Sequence, residues 1–271
     1  MTEIDLVAPD GRRLHAYSVG EGPHTVMWHH GTPNVGAPPA PFFGAAEKLG
    51  VRFVGYDRPG YGGSTTRPGR SIATAAEDAA AVADALDIGR FAVIGHSGGG
   101  PHALACAALL RDRITAAVSI SGLAPFTGDD WFTGMGPSSE ASLRAATKGR
   151  EAKEAHERTE AEPDFIDRDW AALEGPWGWF GSVVTPAIAN GPAPLIDDDL
   201  AYVSPWGFDL KDISTPTLLI HGTADRMVPA QHSERLARLI PDAVLRLREG
   251  EGHISVLEKA EEAIYFSSVG S

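Results

Sequence analysis

Short apolar runs typical of buried strands alternate along this chain with longer stretches typical of helices. The pattern predicts strands at residues 3–8, 12–19, 25–29, 51–57, 91–95, 116–121, 217–222 and 243–247. It predicts helices at residues 71–86, 98–110, 231–240 and 256–266. The first three strands, with a turn at Asp10 and Gly11, are typical of an antiparallel entry into a sheet. From residue 51 onward strand and helix alternate, which predicts a parallel sheet with helices on both faces.

The alternation breaks off between residues 124 and 212. This segment is rich in charge, Pro and Gly, and it holds five of the six tryptophans: Trp131, Trp170, Trp177, Trp179 and Trp206. We interpret it as a helical cap inserted into a core of residues 1–123 and 213–271, over the carboxyl ends of the parallel strands. Its aromatic residues are expected either to line a substrate pocket or only to attach the cap to the core. The charged run at residues 150–162 is interpreted as a solvated helix face.

Length and composition are those of an ordinary globular protein. The chain has 271 residues, of which 43% are hydrophobic and 22% charged, enough for one sizeable core. Its net charge of −13 disfavours nucleic acid and anionic membrane surfaces as partners. The single cysteine, Cys106, excludes an internal disulfide, and its apolar neighbours predict a buried structural thiol. No signal peptide and no run of about 18 apolar residues is evident, so we predict a cytoplasmic protein.

The candidate chemistry begins at residues 95–99, Gly-His-Ser-Gly-Gly, between a predicted strand and a predicted helix. A serine at the apex of such a turn adopts a strained backbone conformation and exposes its hydroxyl, as in a nucleophile elbow. Gly95 and Gly99 avoid collisions on either side of the turn. The backbone N–H of Gly98 lies at a helix start, where it favours a developing oxyanion. The pattern therefore predicts Ser97 as an activated nucleophile with half an oxyanion hole beside it.

A serine nucleophile needs a base, and the base needs an orienting carboxylate. His253 lies in a glycine-flanked loop between the last strand and the last helix. Asp225 lies in the loop after the strand at 217–222. Both loops follow the carboxyl ends of strands, as Ser97 does, so all three side chains are expected at one edge of the sheet.

Neighbouring residues have simpler interpretations. Asp129 and Asp130 follow the strand at 116–121 and are competing positions for the acid. His96 is expected to point away from the serine and to pack. His30 is expected to brace the loop that it begins through hydrogen bonds rather than to transfer protons.

Four motifs follow one another along the chain. They are residues 30–33 (His-Gly-Thr-Pro), residues 56–64 (Tyr-Asp-Arg-Pro-Gly-Tyr-Gly-Gly-Ser), the turn at 95–99, and the paired acid and histidine loops. Together they resemble the α/β-hydrolase family, over the whole chain outside the insertion. The resemblance implies an eight-stranded, mostly parallel sheet flanked by helices, with a helical cap. It assigns Ser97 as nucleophile, His253 as base and Asp225 as acid, and it implies that Thr32 donates the second oxyanion N–H beside Gly98.

The sequence therefore predicts a serine hydrolase that acts on an ester, thioester or lactone through an acyl-enzyme. Carbon–carbon bond hydrolases and perhydrolases of the same fold stay open, as does a ligand receptor that keeps these residues without turnover. No P-loop, dinucleotide fingerprint or metal-ligand cluster occurs, so neither a cofactor nor a metal is predicted. The expected partner is a small-molecule substrate with a hydrophobic portion, and the formation of a homo-oligomer stays open.

Overall fold

The apolar runs of the sequence form a sheet at the centre of the molecule. The computed structural model describes residues 1–159 and 161–269, and within them the strands are β1 (Thr2–Val7), β2 (Arg13–Val19), β3 (His24–His29), β4 (Val51–Tyr56), β5 (Phe91–His96), β6 (Ile114–Ile120), β7 (Thr217–Gly222) and β8 (Val244–Arg248). They pair in the order β1-β2-β4-β3-β5-β6-β7-β8. Each predicted strand is present, with bounds that differ by two residues at most.

The sheet is mostly parallel, and one part of the prediction about strand direction is wrong. β1 pairs antiparallel with β2, and β2 antiparallel with β4, whereas the remaining pairs are parallel. β3 therefore does not belong to an antiparallel entry, because it lies between β4 and β5 and parallel to both. Val26, Met27 and Trp28 in this strand are fully buried, as is typical of a central parallel strand covered on both faces.

Helices cover both faces of the sheet. In the described part of the chain they are α1 (Phe43–Lys48), α2 (Thr74–Ala85), α3 (Gly99–Leu109), α4 (Pro137–Thr147), α5 (Arg150–His156), α6 (Asp167–Glu174), α7 (Phe180–Ile188), α8 (Ala193–Tyr202), α9 (Gln231–Leu239) and α10 (Glu262–Val269). Residues of α2, α3 and α9 share an apolar cluster with Met27, and residues of α1 and α10 share a second cluster with Trp28. Adjacent residues of β3 thus enter opposite layers of the core. No helix within residues 1–159 and 161–269 combines the length and the apolarity needed to cross a bilayer.

The last helix begins later than the sequence predicts. Helix is expected over 256–266, but Ser255–Lys259 forms a 3-10 turn and α10 begins at Glu262. Val256 and Leu257, which suggested a helix, are already buried by that turn. Tertiary packing therefore buries these apolar residues without an α-helix.

Five helices, α4 to α8, form the insertion between β6 and β7. Two of its tryptophans attach it to the rest of the molecule. Trp131 is fully buried and packs edge-on against His232 of α9, with 5.0 Å between the ring centroids. Trp177 packs edge-on against Phe42, with 5.1 Å between the ring centroids. The insertion is therefore packed firmly onto the sheet and its flanking helices, while its predicted bounds as a separate cap remain a prediction.

The charged run at 150–162 is only partly a solvated helix face. α5 covers its first seven residues, and Glu160 lies outside the described residues. The Lys153 side chain is fully buried, and its Nζ lies 2.6 Å from both Glu157 Oε1 and Asp199 Oδ2. The interpretation as a solvated face is wrong at Lys153, because this side chain is buried. Two carboxylates inside the insertion compensate its charge.

Candidate active site

Ser97 lies at the apex of the turn between β5 and α3. Its φ is +54°, in the left-handed region that residues other than glycine rarely adopt. The turn is held on both sides, since Ser97 N–H donates to Ile120 O at 2.8 Å and Gly100 N–H donates to Ser97 O at 2.9 Å. A Cβ on Gly95 would overlap the Gly99 carbonyl, so the strand and the helix can approach this closely only without that side chain. This is the backbone geometry of a nucleophile elbow.

His253 and Asp225 are in direct contact. His253 Nδ1 lies 2.8 Å from Asp225 Oδ2, and Asp225 Oδ1 accepts the backbone N–H groups of Met227 and Val228, both at 2.9 Å. These bonds hold the imidazole so that Nε2 is the ring nitrogen left for another partner. His253 and Ser97 line the same cavity. Among the described residues no hydrogen bond joins the Ser97 hydroxyl to Nε2, and catalytic hydrogen bonds are often long before substrate binds.

The protonation of this pair suits general-base chemistry. Burial alone would lower the pKa of His253, but the charge and the hydrogen bond of Asp225, with a further contribution from Asp169, raise that pKa above its ordinary value. Burial alone would raise the pKa of Asp225, but the charge of His253 and hydrogen bonds from His221 and His253 hold it far below its usual range. An ionised carboxylate therefore supports a basic imidazole.

His221, at the end of β7, is a second neighbour of the acid that sequence reasoning missed. Its Nε2 lies 3.3 Å from Asp225 Oδ2 and 2.6 Å from Val228 O, and its Nδ1 lies 2.7 Å from Ser233 Oγ. The ring is fully buried and anchors the acid loop at both ends. Its position four residues before Asp225 was the available signal, but sequence spacing alone does not show which way a side chain at a strand end points.

His96, next to the serine, braces the backbone of His253. Its Nε2 lies 3.0 Å from the His253 carbonyl oxygen, and the two ring centroids are 5.0 Å apart. Burial, with the charge of His253, lowers the pKa of His96 to about 3, so the ring is neutral near pH 7. The side chain therefore packs, as the sequence predicts, and also contacts the neighbouring loop.

Thr32 and Gly98 lie side by side next to the serine. A Cβ on Gly98 would come within 2.8 Å of Thr32 Oγ1, and both residues line the cavity with Ser97. In the part of the chain that the structure describes, neither backbone N–H donates to a protein acceptor. Gly98 is buried and Thr32 is half-buried, so both N–H groups are available to a ligand atom in the cavity. His30 braces the Thr32 loop, since its Nε2 accepts the Arg58 N–H at 3.0 Å.

A buried ion-pair network holds the Thr32 loop from the other side. Asp198 of α8 accepts hydrogen bonds from Thr32 Oγ1 at 2.7 Å, from Tyr61 OH at 2.8 Å and from Arg58 Nη2 at 2.7 Å. It also pairs with Arg70 Nη1. The Asp198 side chain is 0% exposed, and those of Arg58 and Arg70 are 2% and 3% exposed. The Thr32 loop is therefore held by a carboxylate that comes from the insertion.

Sequence reasoning missed Asp198, and it included Tyr202 only as one of the aromatic residues of the insertion. Tyr202 OH lies 2.8 Å from Thr32 Oγ1 and 3.2 Å from the Gly98 carbonyl oxygen. Both residues belong to α8, whose sequence of Ile-Asp-Asp-Asp-Leu resembles an ordinary surface helix. The motif at 56–64 marks Arg58, but nothing local marks a partner 140 residues later.

Ser97 and His253 open into a cavity of about 310 Å³ between the sheet edge and the insertion. Apolar residues from both sides line it: Leu123, Leu143, Leu195, Met227 and Val228. The insertion also contributes polar groups: Ser138, Ser139, Ser142, His156, Glu157 and Asp199. Among the described residues, Tyr202 is the one aromatic side chain in the lining. None of the five tryptophans of the insertion, all within the described part of the chain, lines this cavity. Trp131, Trp177 and Trp206 are buried, which supports attachment to the core, whereas Trp170 is 45% exposed.

Comparison with known proteins identifies the family. The family model described as alpha/beta hydrolase fold matches residues 24–260. This chain belongs to the α/β-hydrolase family. It is 31% identical over 263 residues to 2-hydroxymuconate semialdehyde hydrolase from Pseudomonas putida, which covers 93% of this chain and 88% of that protein. It is 27% identical over 255 residues to pimeloyl-[acyl-carrier protein] methyl ester esterase from Nitrosomonas europaea, which covers 93% and 96%.

A solved structure supports the same fold. The enol-lactonase from Burkholderia xenovorans superposes with a TM-score of 0.73 at 21% identity, over 97% of each chain. The expected fold class, an α/β hydrolase with a mostly parallel sheet and flanking helices, is therefore confirmed.

In this α/β hydrolase the competing acid positions make other contacts. Asp129 pairs with Arg144 at 2.9 Å and Asp130 with Arg235 at 2.8 Å, and both carboxylates are largely exposed. Cys106 is buried in α3, and burial raises the pKa of its thiol. Within residues 1–159 and 161–269, no group of three or more His, Cys, Asp or Glu side chains is arranged to hold a metal ion.

Proposed function

We propose that this α/β hydrolase cleaves a carboxylic ester, thioester or lactone, with Ser97 as nucleophile, His253 as base and Asp225 as acid. The observation that carries the proposal is the 2.8 Å contact between His253 Nδ1 and Asp225 Oδ2 beside a left-handed serine in the same cavity. In acyl transfer an acid orients a base and the base activates a nucleophile, and the contact between acid and base supports this assignment.

In the proposed reaction, Ser97 Oγ attacks the substrate carbonyl carbon while His253 Nε2 takes the hydroxyl proton. The carbonyl electron pair moves onto oxygen, where the unpaired N–H groups of Thr32 and Gly98 stabilise the developing charge. The intermediate then collapses, the C–O or C–S bond breaks, and the leaving group takes the proton from His253. Water, deprotonated by the same imidazole, hydrolyses the acyl-enzyme and restores the serine.

The cavity supports a small-molecule substrate with an apolar portion. Its volume of about 310 Å³ lies at the lower end of the range for ligand pockets. Leucine side chains at 123, 143 and 195 suit an apolar acyl or alcohol group, and no step of the proposed reaction uses a cofactor. A cytoplasmic location stays a prediction.

A second candidate is hydrolysis of a carbon–carbon bond. The relative at 31% identity is named a 2-hydroxymuconate semialdehyde hydrolase, which favours this alternative. The same serine, base and oxyanion donors would serve, with a carbon leaving group in place of an alcohol.

The test is serine-directed labelling combined with turnover. We expect a fluorophosphonate to label wild-type Ser97 stoichiometrically, and we expect multiple turnovers on p-nitrophenyl acetate and on a panel of esters, lactones and thioesters graded by acyl length. Ser97→Ala should lose labelling and turnover, and the panel should be run beside vinylogous diketones that report carbon–carbon cleavage. Labelling without turnover would indicate a receptor, and wild-type turnover by Ser97→Ala would refute the mechanism.

A further inference from the structure

Asp169, on α6 of the insertion, binds the loop that carries the candidate base. Its Oδ1 accepts the backbone N–H groups of Ile254 at 2.8 Å and Ser255 at 2.9 Å, and its Oδ2 accepts that of His253 at 3.2 Å. Three consecutive backbone N–H groups that converge on one point form a nest, which is an anion-binding concavity. The carboxylate of Asp169 fills this nest from another part of the chain.

The burial of Asp169 indicates that it serves this loop. The residue is 1% exposed, and within residues 1–159 and 161–269 no Lys or Arg pairs with it. Hydrogen bonds to the charged form stabilise a buried carboxylate that has no Lys or Arg partner. Besides the three bonds to the loop, Asp169 accepts one from Ile166 N–H at 3.2 Å, at the start of its own helix. One bond of Asp169 thus serves the start of α6, and three serve the loop that carries His253.

The loop has a glycine at the point where the Asp169 carboxylate approaches it. A Cβ on Gly252 would overlap Asp169 Oδ2, so a side chain there would displace the carboxylate. The Gly252 N–H is itself satisfied by Ser255 Oγ at 2.8 Å. The loop is thus closed on one side and bound by the carboxylate on the other.

These contacts leave one polar group of His253 without a partner. Its N–H is bound by Asp169, its carbonyl oxygen contacts His96 Nε2 at 3.0 Å, and its Nδ1 contacts Asp225. In the described residues, Nε2 is the remaining polar atom, and the side chain opens on the cavity of Ser97. The charged and titratable groups that face the imidazole are Asp225 from the β7 loop, Asp169 from α6 and the neutral His96 from β5.

We propose that Asp169 is a positioning residue of this site, which fixes the backbone of residues 253–255 so that His253 Nε2 stays directed at the serine. This inference rests on the proposed serine-hydrolase function. It makes the insertion part of the machinery that positions the base, in addition to a cover over the pocket.

The test compares Asp169→Asn with Asp167→Asn, a matched change on the same helix turn at an exposed side chain. An amide cannot accept hydrogen bonds at both of its ends, so the nest loses contacts, and the negative charge near the imidazole disappears. We expect kcat on p-nitrophenyl acetate, and the rate of fluorophosphonate labelling of Ser97, to fall roughly 10- to 100-fold. We expect the acid limb of both pH profiles to move to lower pH, because the pKa of His253 loses a contribution that raises it. Asp167→Asn should match the wild type in its rates and in its pH profiles.

Gly252→Ala provides a second test that leaves α6 and the charge of Asp169 unchanged. We expect it to lower kcat more than it changes KM, with thermal unfolding monitored for each variant. The inference is overturned if Asp169→Asn keeps wild-type rates and pH profile, or if its loss only follows the unfolded fraction with the profile unchanged. If Asp169→Asn does not fold, Gly252→Ala decides, and a wild-type kcat in that variant overturns the inference.

An NMR titration of His253 separates this inference from the proposed function. If wild-type Ser97 is not labelled, the serine mechanism fails, yet the imidazole pKa should still be lower in Asp169→Asn than in the wild type. If labelling is normal in both proteins and the two imidazole pKa values are equal, only the positioning role of Asp169 fails.

Discussion

Replacing Asp198 with alanine is expected to destabilise this hydrolase strongly, because two buried guanidinium groups lose their counter-ion. Asp198 accepts bonds from Arg58 Nε at 3.2 Å and Arg58 Nη2 at 2.7 Å, and it also pairs with Arg70. Arg58 keeps other acceptors, including the Gly31 carbonyl at 3.1 Å, and Arg70 keeps the Pro194 carbonyl at 2.8 Å. The hydrogen bonds of both arginines are thus partly retained, but their charges are not compensated.

Removing one partner of a buried ion pair destabilises proteins by about 3–5 kcal/mol. The free energy of unfolding of a domain is roughly 5–15 kcal/mol, so this substitution removes a large part of the stability. At about 2–4 °C per kcal/mol for a chain of this size, Tm should fall by roughly 10 °C. Urea denaturation followed by circular dichroism measures the free energy of unfolding directly.

Asp197→Ala is the matched control on the same helix. Asp197 pairs with Arg150, and the two side chains are 14% and 45% exposed. The exposed guanidinium stays solvated without its partner, so the pair should contribute about 0–1 kcal/mol. We therefore expect Asp197→Ala to unfold within about 1 kcal/mol of the wild type. A loss below about 1 kcal/mol in Asp198→Ala, or equal losses in both variants, would refute the reasoning.

The pH dependence of this difference has a definite sign. Burial alone would raise the pKa of Asp198, but the charges of Arg58 and Arg70 hold it well below its usual range. Because the pKa is lower in the folded protein than in the unfolded chain, the stabilisation is present above the unfolded pKa of about 4. It is lost as the pH falls through the folded pKa. The gap between wild type and Asp198→Ala should stay constant from pH 7 to about pH 5 and shrink in stronger acid.

Two further predictions concern the reaction itself. Gly98→Ala places a Cβ that would overlap Tyr202 OH, so kcat should fall roughly 10²- to 10³-fold, as for loss of an oxyanion donor. The double variant Gly98→Ala, Tyr202→Phe should recover part of the lost kcat. Steady-state kinetics that show no recovery would contradict this steric explanation. Asp225 raises the pKa of His253 above its ordinary value of 6.5, and the neutral imidazole is the active form. The value of kcat/KM should therefore fall with decreasing pH, with an apparent pKa above 6.5. An apparent pKa below 6.5 in this acid limb would contradict the assignment of His253 as base.

Much of the fold follows from local patterns. Strand positions agree with the prediction within two residues, because each strand contains a short apolar or alternating run that is visible in the sequence. Strand direction was predicted less well, since β3 has the same composition whether its neighbours run parallel or antiparallel. α1 was missed because six residues are too few to establish a helical period.

The sequence by itself determined the candidate chemistry of this protein. Ser97, Asp225 and His253 each lie in a loop whose glycines and position after a strand are readable locally, and the parallel sheet brings such loops to one edge. Only the tertiary structure decided what holds those loops. Asp169 contacts His253 across 84 residues of chain and Asp198 contacts Arg58 across 140, and an aspartate in a charged helix has the same sequence pattern whether it is solvated or buried. The physical reason is that hydrogen bonds and ion pairs depend on distance in space, which the packing of the insertion onto the sheet sets.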